Sequence, residues 1–151
     1  MQIDDAIQAV RAFHEKTASP IADRPRLLPG RKDRADALAR QLLVVKSEIQ
    51  ADGDNLLLQR AAMAIEELAE WLQAHAKGDL VAAADAWADR AYVLFGDAVA
   101  AGLPAAALFA EVDRSNMTKE PVAGGSGKAR KGPGYTPPDL AAILGTADAE
   151  V

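Results

Sequence analysis

Apolar side chains recur every three or four positions along most of the chain, which is the spacing of amphipathic helices. The stretch from Arg31 to Leu103 contains none of the eight prolines, and proline is the strongest helix breaker. Within this stretch, Gly53 and Gly78 lie in polar surroundings and each precedes an aspartate, a combination that suits one helix end and the N-cap of the next helix. The pattern therefore predicts core helices separated by two short turns.

Five helices are predicted, roughly over residues 3–17, 32–51, 54–76, 79–101 and 104–116. Pro104 suits the first turn of the fifth helix, and residues 18–31 form a connection rich in proline and arginine. Alanine, the best helix former, occurs 34 times, whereas bulky β-branched residues are scarce. The predicted fold class is therefore all-α, a bundle of four to five helices.

Residues 119–138 differ from the rest of the chain, because nine of these twenty residues are glycine or proline. Their charged residues are mostly basic: Lys119, Glu120, Lys128, Arg130 and Lys131. We expect a flexible basic arm here, followed by one or two helical turns at 140–144. The predicted organisation is one domain, with a helical part at 1–118 and the arm with its short C-terminal helix at 119–151.

Composition and charge exclude several kinds of function. Seventeen Lys and Arg against 22 Asp and Glu give a net charge of −5, so the chain lacks the basic surface that binding to a nucleic-acid polymer requires. The absence of cysteine excludes disulfides, thiolate zinc sites and cysteine nucleophiles. The first residues are acidic and form no continuous apolar run, so we expect a cytoplasmic protein without a signal peptide or membrane anchor.

Acidic residues share a partly apolar face of the third predicted helix. On a helical wheel, Glu70, Met63 and Trp71 all lie within about 60° of Glu67. Glu66 lies at the edge of this stripe, facing outward or toward a partner. A solvated face would not usually carry a methionine and a tryptophan beside an acid, so the position of Glu67 needs a physical reason.

The fourth predicted helix carries a similar stripe, in which Asp85, Asp89, Val93 and Tyr92 lie close together on the wheel. The short turn at Gly78 makes the two helices antiparallel neighbours. Counted outward from that turn, both pairs of acids lie at matching levels, since each residue adds about 1.5 Å to either helix. Four carboxylates are therefore predicted to converge.

Converging carboxylates need a positive partner, because burying an unpaired carboxylate lowers the stability of the folded state by roughly several kcal/mol. Neither acidic stripe carries a Lys or Arg, so we predict a hard divalent cation, Mg²⁺, which Mn²⁺ could replace. Such an ion binds substrate phosphates, which suits hydrolysis of a phosphoanhydride, and the basic arm would add phosphate contacts. The alternative is a non-catalytic helical binding or assembly module whose acids are ordinary solvated charges.

Five short motifs occur in order along the chain. They are VRAFHE at 10–15, EELAE at 66–70, DAWADRAYVLFG at 85–96, FAEVDRSNMTK at 109–119 and KGPGYTPPDL at 131–140. This set resembles the MazG-type all-α nucleotide pyrophosphohydrolases, which include dimeric dUTPases and phosphoribosyl-ATP pyrophosphohydrolase. Their signature is EExxE on one helix and ExxD on the next. EExxE alone is weakly specific, whereas the ordered set is specific.

The resemblance implies roles for individual residues. Glu67, Glu70 and Asp89 would ligate Mg²⁺, and Glu66 would hold or activate the attacking water, which makes Glu66 and Glu67 the catalytic candidates. Asn116 would contact the substrate, and Lys119 would contact its phosphate. Further candidate substrate contacts are His14, Tyr92, Lys131 and Tyr135. His14 would line a base-stacking pocket between the first helix and a neighbouring helix, or be a surface or structural histidine.

The implied reaction converts a nucleoside triphosphate and water into a nucleoside monophosphate and pyrophosphate. An enzyme of phage or bacterial type that shapes the dNTP pool, for example by converting dGTP to dGMP, is one form of this function. Two other forms act on dUTP or on phosphoribosyl-ATP. Members of this superfamily usually assemble as dimers or tetramers, and an isolated hairpin leaves apolar faces uncovered, so we expect a homodimer or homotetramer.

The chain departs from the superfamily pattern in three places. Ala86 replaces the glutamate of ExxD, and we expect Asp85, one residue earlier, to act as the ligand instead. Gly134 stands where the superfamily has asparagine. The segment at 31–52 is longer than in the relatives, so the resemblance gives it no role, and it would serve assembly or pocket closure.

Overall fold

The computed structural model describes residues 1–51, 53, 55–122 and 128–145. Asp54, predicted as an N-cap, part of the predicted arm at 123–127 and the segment 146–151 lie outside the described residues. The elements are α1 (Ile3–Thr17), α2 (Lys32–Ala51), α3 (Leu56–Lys77), α4 (Leu80–Ala101), α5 (Ala105–Met117), β1 (Glu120–Pro121), β2 (Ala129–Arg130) and α6 (Leu140–Leu144). The all-α fold class is confirmed, and the five predicted helices begin and end within two residues of the observed ones.

The chain forms two compact units. The terminal unit comprises Met1–Asp23 and Gly102–Val151, and the central unit comprises Arg24–Ala101. The terminal unit therefore holds α1, α5, α6 and the two strands, whereas the central unit holds α2, α3 and α4. The predicted boundary at residue 118 stays a prediction. Among the described residues, no single helix is long and apolar enough to cross a bilayer, and α4 and α5 reach that length and composition only when they are counted together.

In the central unit, α3 packs against both α2 and α4. The buried side chains of these three helices are nearly all alanine: Ala39, Ala62, Ala69, Ala74, Ala83, Ala86 and Val93. Small side chains allow neighbouring helix backbones to approach closely. The buried alanines thus let α3 and α4, which carry the acidic residues, pack closely against each other.

The turn between α3 and α4 sets the pairing of these helices. Gly78 ends α3 in the left-handed conformation with φ of 75°, which glycine adopts without steric cost. Asp79 then caps α4, because its Oδ1 accepts a hydrogen bond from Ala82 N at 3.0 Å. The predicted turn is therefore confirmed. At the other end of α3, the observed N-cap is Asn55, whose Oδ1 accepts from Leu58 N at 3.1 Å.

In the terminal unit, α5 packs against α1 and α6. The strands β1 and β2 form a short antiparallel hairpin, in which Glu120 pairs with Arg130 at 3.0 Å. The sequence pattern did not predict this hairpin. A Cβ atom at Gly132 would collide with the Glu120 carboxylate, so a larger residue there would require the glutamate side chain to shift.

Residues 136–139, which we name the strap, are tied to α5 by hydrogen bonds. Ser115 Oγ donates to Thr136 O at 2.9 Å, and Thr136 N donates to Thr118 Oγ1 at 2.9 Å. Arg114 also donates to Thr136 Oγ1 at 2.7 Å and to Pro137 O at 2.9 Å. This described part of the predicted arm is thus attached to the helical part by side chains of the SNMTK motif and its neighbours.

Acid should release the strap from α5. The pKa of Glu111 is lowered to about 2, first by hydrogen bonds from Arg114 and then by the backbone N–H of Asp139. Because the folded pKa lies below the ordinary value of 4.5, this contribution is present above that value and is lost as the pH falls toward about 2. The protection factor of the Thr136 amide, which is its intrinsic exchange rate at each pH divided by its observed rate, should therefore fall over this range. In Glu111→Gln this protection factor should be low already at neutral pH, unlike in Asp113→Asn.

Candidate functional site

Five predicted acidic residues lie in the central unit, three on α3 and two on α4. They are Glu66, Glu67, Glu70, Asp85 and Asp89. Burial is the largest cause of a raised pKa at Glu67, and repulsion from the other four carboxylates raises that pKa further. The structure therefore brings four of these acids close enough to the fifth, Glu67, to act electrostatically on its carboxyl group.

Glu67 is the centre of this acidic cluster, which comprises the five residues just named. In the part of the chain that the structure describes, Glu67 Oε2 is buried and has no hydrogen-bond partner. An unsatisfied buried carboxylate oxygen is costly, so native proteins usually give such an oxygen a donor or a cation. A cation bound at Glu67 Oε2 would give this oxygen the positive partner that it lacks among the described residues.

The donor atoms suit a hard divalent cation, although the described side chains are not arranged to coordinate one. All the donors are carboxylate oxygens, the ligands that Mg²⁺ prefers. Among the described residues, no three Asp, Glu or His side chains are arranged to hold a metal ion as they stand. Binding would therefore require rotation of carboxylates, and Glu70, Asp85 and Asp89 are exposed and free of packing that would prevent it. The metal ligands stay a prediction.

Lys46 of α2 is a functional candidate that the sequence analysis missed. Its ammonium group forms an ion pair with Glu66 Oε1, and the lysine side chain is only 17% exposed. Glu66 therefore faces α2. Its position at the edge of the acidic stripe had left open whether it faces outward or toward a partner. A signal was present in the sequence, because Lys46 lies four residues after Leu42 and three before Ile49, on an otherwise apolar face of α2.

A second charged contact joins α3 to α4 beyond the acidic cluster. Arg60 Nε donates to Asp97 Oδ1 at 2.6 Å, and its Nη2 donates to Val93 O at 2.5 Å. A Cβ atom at Gly96 would lie 2.5 Å from that same Nη2, so the glycine leaves room for the guanidinium. Asp97 is thus paired with Arg60 and is not part of the acidic cluster.

Comparison with known protein families shows the family of the chain. The sequence pattern of the phosphoribosyl-ATP pyrophosphohydrolase family matches residues 35–116, more than half of the chain. The chain belongs to this family. It is therefore a nucleotide pyrophosphohydrolase of the MazG-like superfamily, as its motifs indicated. No curated protein and no solved structure gives a significant match.

The family match also bears on α2. It begins at residue 35 and so includes most of α2, the segment to which the resemblance gave no role. The structure supplies one role, since α2 packs along α3 and contributes Lys46 to the acidic cluster. The helix thus belongs to the same compact unit as the pyrophosphohydrolase signature.

Ala86 occupies the position where the pyrophosphohydrolase signature has a glutamate. It is only 3% exposed, so its side chain is buried in the alanine-rich core of the central unit. Asp85, the expected replacement, is exposed and makes the smallest of the four repulsive contributions at Glu67. An exposed aspartate can turn toward an ion, so its role as a ligand stays a prediction.

The predicted substrate contacts lie mostly in the terminal unit. Lys119 Nζ donates to Asn116 Oδ1 at 2.8 Å, so these two candidates are neighbours at the end of α5. His14 Nδ1 donates to Pro20 O at 2.9 Å, which occupies one of its two ring nitrogens. Lys131 Nζ lies 5.0 Å from the centre of the Tyr135 ring. In the central unit, the Tyr92 side chain is largely exposed on α4.

Proposed function

We propose that the protein is a Mg²⁺-dependent nucleoside triphosphate pyrophosphohydrolase that converts a (d)NTP and water into a (d)NMP and pyrophosphate, with Mn²⁺ able to replace Mg²⁺. The observation that carries this proposal is the state of Glu67. Among the described residues its Oε2 is buried without a partner, and burial first and then neighbouring carboxylates of α3 and α4 raise its pKa. A divalent cation would satisfy the oxygen and neutralise the repulsion.

The residues would divide the reaction between them. Glu67, Glu70, Asp85 and Asp89 would hold the ion, which when bound stabilises negative charge on the phosphates. Lys46 engages Oε1 of Glu66, and we assign Oε2 to the attacking water. The water oxygen bonds to one phosphorus of the α–β anhydride and passes its proton to Glu66. That phosphorus loses its bond to the bridging oxygen, which yields the monophosphate and pyrophosphate.

Lys46 should act through Glu66 as a positioning residue. In Lys46→Met, Glu66 loses its ion pair and is free to rotate away from the water, so kcat should fall by about ten- to a hundredfold. The KM for nucleotide should change much less, since the ammonium group of Lys46 is already paired with Glu66. Lys46→Arg should recover part of kcat because it keeps the charge. Steady-state pyrophosphate release measures both constants, and a rise in KM at constant kcat would contradict this role.

The exposed apolar face of α4 supports assembly of the protein as a homodimer or homotetramer. Val81, Tyr92 and Val99 are 81%, 80% and 84% exposed, and Phe95, on the same side of the helix, is also exposed. Exposed apolar side chains aligned along one helix face are usually covered by a partner. We propose that a second copy covers it. Sedimentation equilibrium measures the assembly, and a monomer at micromolar concentration would contradict it.

A nucleotide panel tests the proposed reaction. Purified protein is incubated with each common dNTP and NTP, with dUTP and with phosphoribosyl-ATP, and pyrophosphate is measured with and without Mg²⁺. We expect release from common nucleotides that depends on the ion. Phosphoribosyl-ATP is the second candidate substrate, because the family that matches carries that activity in its name. Cleavage of that compound alone would replace the general proposal, and no Mg²⁺-dependent release from any of these would refute it.

A further inference from the structure

A pocket of about 430 Å³ lies between the C-terminal half of α2 and the N-terminal half of α3. This α2–α3 pocket contains none of the predicted substrate-binding residues. Its lining includes Lys46, Ile49, Gln50, Gln59, Ala62, Met63 and Glu66. Ligand pockets typically start at roughly 300 Å³, so a cavity of this size can take a nucleoside.

The lining chemistry matches a nucleobase. Ile49 and Met63 present apolar surface, and a methionine sulfur packs favourably against aromatic rings. Gln50 and Gln59 each carry an amide that both donates and accepts hydrogen bonds. The edge of a base also presents donors and acceptors side by side, which an amide can pair with in two bonds. A flat polar ring is therefore better suited to this pocket than an aliphatic or purely anionic ligand.

The pocket adjoins the acidic cluster at one end. Glu66 lines the pocket and precedes Glu67, and its ion pair with Lys46 forms part of the same wall. Met63 lies one helical turn before Glu67, on the same face of α3. A nucleoside in the pocket would therefore direct its 5′ phosphates along α3 toward the acids.

We propose that the α2–α3 pocket binds the nucleoside of the substrate, with Gln50 and Gln59 contacting the edge of the base. This inference rests on the proposed function, because it assigns the substrate of the same acidic cluster. It gives the long α2 a role in specificity. It also differs from the expectation that the base stacks on α1 near His14.

The test removes the amides one at a time. Gln50 and Gln59 are exposed, so Gln50→Leu and Gln59→Leu should fold normally, and Gln41→Leu on α2 is the matched control. For the preferred nucleotide, each variant should raise KM by about five- to tenfold, the effect of one lost hydrogen bond, and should leave kcat within about threefold. The differences in kcat/KM among nucleotides with different bases should become smaller. Calorimetric titration with nucleoside monophosphates in the absence of metal should show the same loss of affinity.

The outcomes separate this inference from the proposed function. If the wild type releases pyrophosphate and neither glutamine variant differs from Gln41→Leu, the pocket is not the nucleoside site. The inference is also overturned if His14→Ala, rather than Gln59→Leu, weakens monophosphate binding and changes base preference. If monophosphates bind through Gln59 but no triphosphate is cleaved, the pocket assignment is supported and the proposed function fails.

Discussion

Replacement of Glu67 by glutamine is expected to lower Mg²⁺-dependent pyrophosphate release by about a thousandfold or more. The substitution keeps the size of the side chain but removes the charge at the centre of the acidic cluster, where the ion would bind. The rate at saturating nucleotide and a range of Mg²⁺ concentrations is the measurement. Glu48→Gln, an exposed change on neighbouring α2, should keep wild-type activity. An active Glu67→Gln enzyme would contradict the assigned role.

The same variant should be more stable than the wild type when divalent ions are absent. Burial and then repulsion raise the pKa of Glu67, so folding favours its protonated form. The corresponding stability is present below the ordinary pKa and is lost as the pH rises through the raised value. Glutamine remains neutral, so the melting temperature at neutral pH should increase by a few degrees, ~2–4 °C per kcal/mol. An inactive variant that has also lost stability would point to misfolding instead.

Proton competition gives this site a pH dependence. Mg²⁺ needs the carboxylate form of Glu67, and the raised pKa extends the protonated form to higher pH than for an ordinary glutamate. The Mg²⁺ concentration for half-maximal activity should therefore fall as the pH rises above 4.5, the ordinary pKa of glutamate. The affinity for Mn²⁺, measured by calorimetry, should depend less on pH in Glu67→Gln than in the wild type.

Asp85 and Asp89 are expected to be needed as ligands from α4. Asp85→Asn and Asp89→Asn should each lower kcat/KM by about a hundredfold and raise the Mg²⁺ concentration for half-maximal activity, since an amide is a poorer ligand than a carboxylate. The control is Asp23→Asn, an exposed change outside the acidic cluster. These measurements use the same pyrophosphate assay, with Mg²⁺ varied at fixed nucleotide.

The two aspartates test different parts of the account. Asp89 belongs to the superfamily signature, whereas Asp85 is the expected substitute for the glutamate that Ala86 replaces. If Asp89→Asn impairs the enzyme and Asp85→Asn leaves its Mg²⁺ dependence unchanged, the site uses three ligands and Asp85 is not one of them. If neither change matters, α4 does not contribute to the metal site.

The sequence predicted the helices and the grouping of acids because both depend on local rules. Helical spacing and helix-breaking residues located α1 to α5, and the glycine turn at Gly78 defined which helices are antiparallel neighbours. Once two helices are known to pair, counting residues from their turn predicts which side chains lie level. This reasoning identified Glu67, Glu70, Asp85 and Asp89 as neighbours, and in the structure the other three add to the effect of burial in raising the pKa of Glu67.

Contacts between elements without a fixed register could not be predicted in this way. Lys46 lies 7 residues before Gly53 and Glu66 lies 13 residues after it, so counting outward from that turn does not place the two side chains at one level. The strap depends on hydrogen bonds from Ser115 and Thr118 to a segment without periodicity. Hydrophobic pattern carries no information on such polar contacts.

Calorimetric titration of Mn²⁺ into the wild type and Glu67→Ala tests the central claim most directly. Mn²⁺ shares the ligand preference of Mg²⁺ and binds carboxylate sites more tightly. The acidic cluster predicts saturable binding to the wild type and at least a roughly tenfold weaker affinity in Glu67→Ala, with Glu48→Gln like the wild type. Mn²⁺ binding of equal affinity in wild type and Glu67→Ala would contradict the metal site, and with it the proposed mechanism.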